Sequence, residues 1–351
     1  MKIETQLPLG NLDPGLRATE TRLDLDRVGE EARLAEALGY DSIVCEETKD
    51  DPFIVLSLAA QATSRIGLAT GVAIAFPRAP AVTALAAWTL QRLSKGRLTL
   101  GLGSQVKGHI ERRFGMKWAP PGPWMRDYVG ALRAIWACWQ AGGAKLDYRS
   151  EHYNLNLMVP LFAPPPIANP DIPIQLAAVN PFMCQIAGEV ADGIRAHPVC
   201  TPRYIEEVML PAARKGAVKA GRDFAKFEMA VMPLIATAPD KVGLDARVLD
   251  VRARIAFYAS TPTYLIAFES QGYGEVAHTL QAYSRAQRWD EMPAFISDEM
   301  LDHYAVIGTH DEIAGKLRQR FSRIASHLEF AIPVAGEADR AALRDLLARL
   351  L

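Results

Sequence analysis

Short apolar or alternating segments recur along the chain, and segments with the apolar spacing of helices separate them. The eight strand candidates are residues 2–7, 41–47, 66–74, 97–103, 172–179, 193–198, 227–237 and 328–334. Several of them are apolar almost throughout, as expected for parallel strands that are covered on both faces. Helical periodicity is clear in residues 23–38, 81–94 and 125–140.

This alternation of strand and helix predicts an α/β fold, and eight units favour a closed (β/α)8 TIM barrel that forms one domain over residues 1–351. A doubly wound open sheet is the alternative. The connections after strands 4 and 7 are too long for simple turns, so we expect insertions there. The first contains the Pro-rich segment 161–173 and the second a helical segment, 258–280. Such insertions commonly shape the mouth of a barrel.

The composition limits the classes of partner. The 351 residues are 50% hydrophobic, with 39 Lys and Arg against 40 Asp and Glu, so the chain can bury a large core and has almost no net charge. This balance gives no general attraction to nucleic acid or to anionic lipid. We therefore predict neither a nucleic acid nor a membrane as a partner.

The cysteines and the N-terminal residues indicate the compartment. Cys45, Cys138, Cys184 and Cys200 lack CxxC spacing, which argues against a zinc site and against a disulfide framework. We expect no metal and interpret these residues as buried small side chains in a reducing environment. Residues 1–10 lack a signal-peptide pattern, and no apolar run reaches about 18 residues, which predicts a cytoplasmic protein.

Ionisable residues at the ends of predicted strands are the first catalytic candidates, because the site of a TIM barrel lies at the C-terminal ends of its strands. Glu46 and Glu47 are adjacent, so only one of them can face the barrel interior. We interpret the inward residue as a candidate proton handler, with a charge paired to a neighbouring Arg or Lys as the alternative. His197 also ends a strand and is either catalytic or structural.

Two strand ends could hold an anion. Gly101 and Gly103 permit close backbone approach before a polar loop, although glycines in this position can also serve only a tight turn. Asn180 and Pro181 form a favoured helix start whose free amides attract anions, or an ordinary helix cap. The cations that follow the glycine loop are either a phosphate clamp or a solvated helix face; they are Lys107, His109, Arg112 and Arg113.

Motifs of several other enzyme classes are absent from the sequence. It contains no Gly-x-Ser-x-Gly elbow, no HExxH and no GxxxxGK[ST]. These absences remove several common classes of hydrolase and nucleotide-hydrolysing enzyme from consideration. The pair Thr309 and Glu312 matches a helix capping box and requires no catalytic explanation.

Five segments in the same order as in a known family carry a resemblance that spans nearly the whole chain. The phrase LAAWTLQRLSKGRLTLGLGSQ resembles the luciferase-like monooxygenase and flavin or deazaflavin oxidoreductase superfamily. The other matches are Glu46-Glu47 with the following Asp51-Pro52, RIGLATGVAIAF, AAVNPFMCQIAGEVADGI and VIGTHDEIAGKL. The segments GSQVKGHIERRFGMKW and AFYASTPTY most resemble the actinobacterial branch described as coenzyme F420-dependent oxidoreductases.

The resemblance implies hydride transfer between C5 of coenzyme F420 and a small organic substrate. An FMN-dependent monooxygenase that uses reduced flavin and O2 is the alternative, and a non-catalytic relative is a third possibility. The resemblance also implies a homodimer, and the Trp-rich helix 125–140 would suit its interface. Glu46 or Glu47 would handle the proton, with His109 and His197 as further catalytic candidates.

The resemblance also assigns the cofactor contacts. A non-prolyl cis peptide would back the ring at the end of the third strand, and the loop after the fourth strand would hold the cofactor tail or phosphate. The second phosphate contact would come from the helix start after the fifth strand. The three groups are Gly71, Val72 and Ala73; Gly103, Ser104, Gln105 and Val106; and Ala178, Val179 and Asn180.

Two positions depart from the family pattern. Several deazaflavin dehydrogenases of this superfamily carry a histidine after the second strand that acts on the substrate alcohol, where this chain has Glu47. Luciferase-type members have an arginine near the position of Ser104, which this chain lacks. The first departure disfavours alcohol oxidation, and the second disfavours phosphate binding in the FMN manner.

Overall fold

Eight parallel strands pair in chain order and close on themselves in a computed structural model that describes residues 1–10, 22–143 and 145–350. The strands are β1 (Lys2–Gln6), β2 (Ser42–Cys45), β3 (Gly67–Thr70), β4 (Leu98–Gly103), β5 (Ile174–Ala178), β6 (Gly193–Ala196), β7 (Glu228–Val231) and β8 (His327–Glu329). β8 pairs with β1, which completes the ring. The prediction of a TIM barrel is confirmed, and the open-sheet alternative is excluded.

One helix follows each strand around the outside of the barrel. These helices are α1 (Val28–Leu38), α2 (Pro52–Ala62), α3 (Pro80–Leu93), α4 (Pro121–Gln140), α5 (Pro181–Val190), α6 (Leu210–Lys219), α7 (His310–Phe321) and α8 (Glu337–Leu350). Their ends follow the local sequence. Gly39 ends α1 in the left-handed conformation with φ 101°, which glycine adopts without a steric penalty. Thr309 and Glu312 form the predicted capping box at the start of α7.

The connection from β4 to β5 contains more than α4. It begins with the short helix Lys107–Arg112 and, after α4, continues through a two-stranded hairpin of Tyr148–Arg149 with Asn154–Leu155 and a 3-10 turn, Pro160–Phe162. The connection from β6 to α6 adds one helical turn, Pro202–Tyr204, and a π-helical segment, Ile205–Met209.

The connection from β7 to β8 is mostly helical. Its helical segments before α7 are Lys241–Ala259, Pro262–Tyr264, Leu265–Glu269, Gly274–Arg285, Trp289–Phe295 and Asp298–Tyr304. The predicted strand 227–237 is wrong in its length, because the chain leaves the barrel after Val231 and Leu234–Ala238 instead pairs in parallel with Ala305–Thr309. Pro233 lies at the break, and a proline cannot donate a backbone hydrogen bond to a sheet ladder.

The tryptophans of α4 are buried within the chain itself. Trp124, Trp136 and Trp139 are between 4% and 8% exposed, and Trp136 Nε1 donates to the Ala84 carbonyl of α3 at 3.1 Å. They pack α4 against its neighbours within the chain, and the homodimer that the resemblance implied stays a prediction. None of the helices in the described part of the chain has both the length and the apolar character needed to cross a bilayer.

Candidate active site at the mouth of the barrel

Glu46 and Glu47 point in different directions at the end of β2. Glu46 Oε1 accepts a hydrogen bond from Gln6 Nε2 of β1 at 3.0 Å. Glu47 Oε2 instead accepts from the Ile74 backbone amide at 2.7 Å and from Arg78 Nη1 at 2.5 Å. Glu46 is therefore the glutamate that faces the barrel interior, whereas Glu47 holds the segment that follows β3.

Arg78 joins two carboxylates at the periphery of the mouth. Besides Glu47, it binds Asp51 Oδ2 through Nη2 at 2.8 Å, and the side chains of Arg78 and Glu47 are only 18% and 12% exposed. Asp51 also caps α2 by accepting from the Phe53 amide at 2.9 Å. Glu47, the glutamate that does not face the interior, is thus paired with Arg78, whereas the sequence analysis considered such a pairing for the inward residue.

A second interior carboxyl, which the sequence analysis missed, lies beside Glu46. The same Gln6 Nε2 that donates to Glu46 donates to Glu329 Oε1 of β8 at 2.9 Å. Burial, together with the nearby carboxylates of Glu46 and Glu4, raises the pKa of Glu329 to about 8. The available signal was a single Glu inside an apolar strand, whereas the predicted catalytic residues lie at or after strand ends.

One layer deeper, a buried ion pair crosses the barrel. Arg195 of β6 donates to Glu4 of β1 through both terminal nitrogens, at 2.9 and 3.0 Å, and Ser42 Oγ donates to Glu4 at 2.8 Å. Burial opposes ionisation of Glu4, but Arg195, together with smaller effects of His327 and the Ser42 hydroxyl, outweighs burial and holds the pKa of Glu4 below the ordinary value. Glu4 pairs with Glu329 in the β1–β8 register, so the ion pair adjoins Glu329.

The glycines at the ends of β3 and β4 permit close packing between strands. A Cβ on Gly101 would lie 1.9 Å from the Thr70 carbonyl oxygen, and a Cβ on Gly103 would lie 2.6 Å from Val72 Cγ2. The peptide bond between Gly71 and Val72 is cis, at the place the resemblance implied. The glycine pair of β4 thus permits close packing against the segment around β3, and its role beside an anion stays a prediction.

The loop after β4 leads into the basic segment. Gln105 has φ 57°, and its Oε1 accepts from the Val106 amide at 2.9 Å. His109 is exposed on the helix Lys107–Arg112, and Arg113 lies over the ring of Phe114 at 4.8 Å. The side chains of this segment are mostly exposed, an arrangement typical of a solvated helix face.

His197 belongs to an aromatic cluster that the second long connection completes. Its ring stacks on Tyr264 with a centroid distance of 4.0 Å and meets the ring of Tyr258 edge-on at 4.7 Å. Both tyrosines come from the connection between β7 and β8. His197 Nδ1 also accepts from the Val199 amide at 3.4 Å.

The start of α5 is capped as predicted. Asn180 Oδ1 accepts from the Met183 amide at 2.8 Å, and Pro181 is the first residue of the helix. The Val179 carbonyl accepts from the Tyr204 hydroxyl at 2.9 Å, which ties the end of β5 to the segment after β6. Ala178 is buried at the strand end, whereas Asn180 is exposed.

Comparison with known proteins identifies the family of this chain. A sequence model described as luciferase-like monooxygenase matches residues 8–327. The chain belongs to the luciferase-like monooxygenase family. The resemblance on which the sequence analysis relied is therefore confirmed at the level of the family.

The chain is similar to two proteins in sequence and to a third in fold. An uncharacterized protein of Mycobacterium tuberculosis is 42% identical over 92% of this chain and 94% of its own length. A second protein of that organism, assigned as a coenzyme F420-dependent oxidoreductase, is 28% identical over 90% of this chain and 91% of its own. The coenzyme F420-dependent tetrahydromethanopterin reductase from Methanopyrus kandleri has a TM-score of 0.75 and 19% identity, and covers 100% and 98% of the two chains.

The similar proteins and the solved structures of the same fold include oxidoreductases and monooxygenases, and both F420 and FMN occur in their names. The comparison therefore shows that the chain is similar to enzymes that bind either a deazaflavin or a flavin. The place of the site at the C-terminal ends of the strands is common to TIM-barrel enzymes.

Proposed function

We propose that this chain is an F420-dependent oxidoreductase that transfers a hydride between C5 of the deazaflavin and a small organic substrate. The similarity over 90% of the chain to a relative assigned as a coenzyme F420-dependent oxidoreductase supports the choice of cofactor. The structural observation that carries the proposal is the pair of carboxyl groups, Glu46 and Glu329, that share the Gln6 amide at the mouth.

The residues at the mouth fit a planar ring with apolar faces and a polar edge. Val72 and Val179, at the ends of β3 and β5, are partly buried apolar residues that could contact a ring face. Gln6 and Glu46 provide an amide and a carboxylate for a polar edge. When bound, the deazaflavin would supply the two-electron redox chemistry, while the protein supplies binding, orientation and proton transfer.

Proton transfer would fall to Glu46. Hydride addition to a C=O or C=N bond requires one proton at the heteroatom, and oxidation in the reverse direction requires a base. Glu46 faces the interior and is held at a defined position by Gln6. His197 would form one wall of the substrate pocket with Tyr264, within an aromatic cluster that also excludes water.

The anionic part of the cofactor would lie across two neighbouring strand ends. The loop of Gly103, Ser104, Gln105 and Val106 would hold one part, and Ala178, Val179 and the α5 start at Asn180 would hold the other. The positive end of the α5 dipole supports an anion at the second position. Gly71, Val72 and Ala73 would back the ring, as the resemblance implies.

An FMN-dependent monooxygenase is the second candidate, because the family model that matches residues 8–327 is described as a monooxygenase. Such an enzyme would bind the reduced flavin at the same mouth and consume O2. The two candidates therefore differ in cofactor preference and in oxygen uptake rather than in the position of the site.

Fluorescence or calorimetric titration of the purified protein with F420 and, in parallel, with FMN tests the proposal. We expect binding of F420 in the micromolar range or tighter, and weaker binding of FMN. A preference for FMN, followed by oxygen uptake in the presence of reduced FMN, would instead establish the monooxygenase. Failure to bind either cofactor would contradict both candidates and favour a non-catalytic relative.

A further inference from the structure

Two neighbouring helices on the outside of the barrel present apolar side chains to solvent. α2 contains no charged residue, and α3 contains a single one, Arg92. A helix that covers a barrel normally buries one apolar face and turns a polar face to water. α2 and α3 bury one face each, but their outer faces are apolar as well. The exposed large residues on them are Ile54, Leu58, Val82, Leu85 and Leu93.

A segment of the connection from β4 to β5 runs beside α3. Before this segment, the ring of Tyr153 meets the ring of Tyr128 edge-on at 6.0 Å, and the Tyr128 hydroxyl is hydrogen-bonded to Thr83 of α3 at 2.6 Å. After the segment, the Pro165 carbonyl accepts from Trp88 Nε1 of α3 at 3.2 Å. The chain between these two anchors is thus held next to α3 at both ends.

This segment adds strongly exposed apolar side chains to the surface. Residues 156–163 include no charged residue, and Leu157, Leu161 and Phe162 are between 72% and 86% exposed. Together with the five exposed residues of α2 and α3, these three form a surface that we term the apolar face. Its eight residues expose on the order of 800 Å², which is the area that each partner contributes to a standard protein interface. The largest apolar patch of a typical monomer is smaller, at about 300–600 Å².

The starts of α2 and α3 are fixed relative to each other. Arg78 Nη2 binds Asp51 Oδ2 at 2.8 Å, and Asp51 caps α2 by accepting from the Phe53 amide at 2.9 Å. Arg78 itself lies two positions before Pro80, the first residue of α3. The two helices also pack directly against each other. The helical part of the apolar face is therefore preorganised, so a partner that binds there pays little for ordering it.

We infer that a second copy of this chain covers the apolar face in a symmetric homodimer. An interface with twofold symmetry uses the same patch on both subunits, so the patch must be complementary to itself. An apolar patch almost without charge meets this condition, and homodimer interfaces are more apolar than the rest of a protein surface. The inference does not depend on the proposed function, and it assigns the interface to α2 and α3 rather than to α4.

Other occupants match the apolar face less well. Residues 11–21 lie outside the described part of the chain and include only two large apolar residues, Leu12 and Leu16, which are too few to cover eight. A strongly charged partner would find almost no complementary charge on this face. With either of these occupants, the purified chain would be a monomer.

Sedimentation of the cofactor-free, full-length chain tests the inference. We expect the wild-type protein at micromolar concentrations to have twice the chain mass of 38.5 kDa. Val82→Glu combined with Leu85→Glu should weaken dimerisation by about 100-fold or more, because burial of an unpaired charge is costly. The matched control is Val242→Glu combined with Leu249→Glu, which changes two exposed apolar residues of another helix, Lys241–Ala259, and should leave the dimer intact.

A second variant covers the case in which the α3 variant does not fold. Leu161→Ser combined with Phe162→Ser changes two exposed residues of the turn Pro160–Phe162. It should weaken dimerisation by about tenfold or more, with the circular dichroism spectrum of the wild-type protein. A wild-type chain that sediments as a monomer at micromolar concentrations overturns the inference. A dimer that persists in both variants of the apolar face, or one that the control variant dissociates, overturns it as well.

Discussion

Arg195 and Glu4 form a bidentate ion pair across the interior of the barrel. Arg195 Nη1 donates to Glu4 Oε2 at 2.9 Å, and Arg195 Nη2 donates to Glu4 Oε1 at 3.0 Å. Glu4 is 2% exposed and the Arg195 side chain 11%. Removal of one partner from such a pair leaves an uncompensated buried charge. The pair therefore favours the ionised form of Glu4 and links β1 to β6 across the barrel.

We expect Arg195→Met to lower the free energy of unfolding by about 3–5 kcal/mol. The loss arises because Glu4 would then be buried without its cation. Urea denaturation at neutral pH measures it. The double variant Glu4→Gln with Arg195→Met removes both charges and should recover a substantial part of the loss; equal losses in the single and double variants would contradict the assignment.

The stability of the protein should depend on pH through Glu4 and Glu329 in opposite directions. The pKa of Glu4 is lowered in the fold, so its stabilisation is present above the unfolded pKa and is lost as the pH falls through the folded pKa. The pKa of Glu329 is raised from 4.5 to about 8. Its contribution to the free energy of unfolding is therefore fully present below pH 4.5 and is lost as the pH rises towards about 8.

Glu329→Gln should remove the second dependence. Relative to wild type, this variant should gain stability between pH 5 and pH 8, by at most about 1.4 kcal/mol for each pH unit. Denaturant unfolding of both proteins across this range provides the measurement. Parallel stability curves would show that Glu329 does not retain its proton in the folded protein.

Two glycines of β4 should differ in their tolerance of alanine. At Gly101 the new methyl group would meet the Thr70 backbone oxygen at 1.9 Å, whereas at Gly103 it would meet a side-chain methyl group of Val72 at 2.6 Å. Because a backbone carbonyl in a sheet moves less easily than a side chain, Gly101→Ala should cost more than Gly103→Ala. We expect Gly101→Ala to lower the free energy of unfolding by about 1–3 kcal/mol or more, as measured by thermal unfolding. A larger loss in Gly103→Ala than in Gly101→Ala would contradict the packing explanation.

Glu46 and Glu47 should respond differently when each is replaced by glutamine. Glu46→Gln removes the proposed proton handler and should reduce turnover by about 10²-fold or more with an identified substrate, while the midpoint of unfolding changes little. Glu47→Gln weakens the ion pair with Arg78 and should mainly lower stability. Unchanged turnover in Glu46→Gln would remove its proposed role.

The sequence predicted the architecture well because the fold depends on long periodic patterns. Parallel strands covered on both faces leave continuous apolar segments, and helix ends are marked by local residues such as Gly39 and Asn180. The ends of the strands were less predictable. Pro233 interrupts the run 227–237, and its second half pairs with a strand about 70 residues further along the chain, a pairing that no local pattern reveals.

The site was predictable only in part. Alternation correctly indicated that one of Glu46 and Glu47 faces inward, but the choice between them depends on Gln6 and Arg78, which are distant in sequence. Glu329 was missed for a similar reason, since its significance comes from neighbours on β1 and β2. Local sequence shows that a carboxyl exists, whereas its charge state is decided by contacts between strands.

The space occupied by Arg195 is bordered by residues without side chains. A Cβ on Gly71 would lie 3.8 Å from Arg195 Nη1, and one on Gly101 would lie 3.2 Å from Arg195 Cδ. The large side chain of Arg195 on β6 therefore fills space that Gly71, after β3, and Gly101, in β4, leave open. An engineer who shortens the residue at 195 would open a cavity that no neighbouring side chain at these two positions can fill, so changes at these three sites would have to be designed as a set.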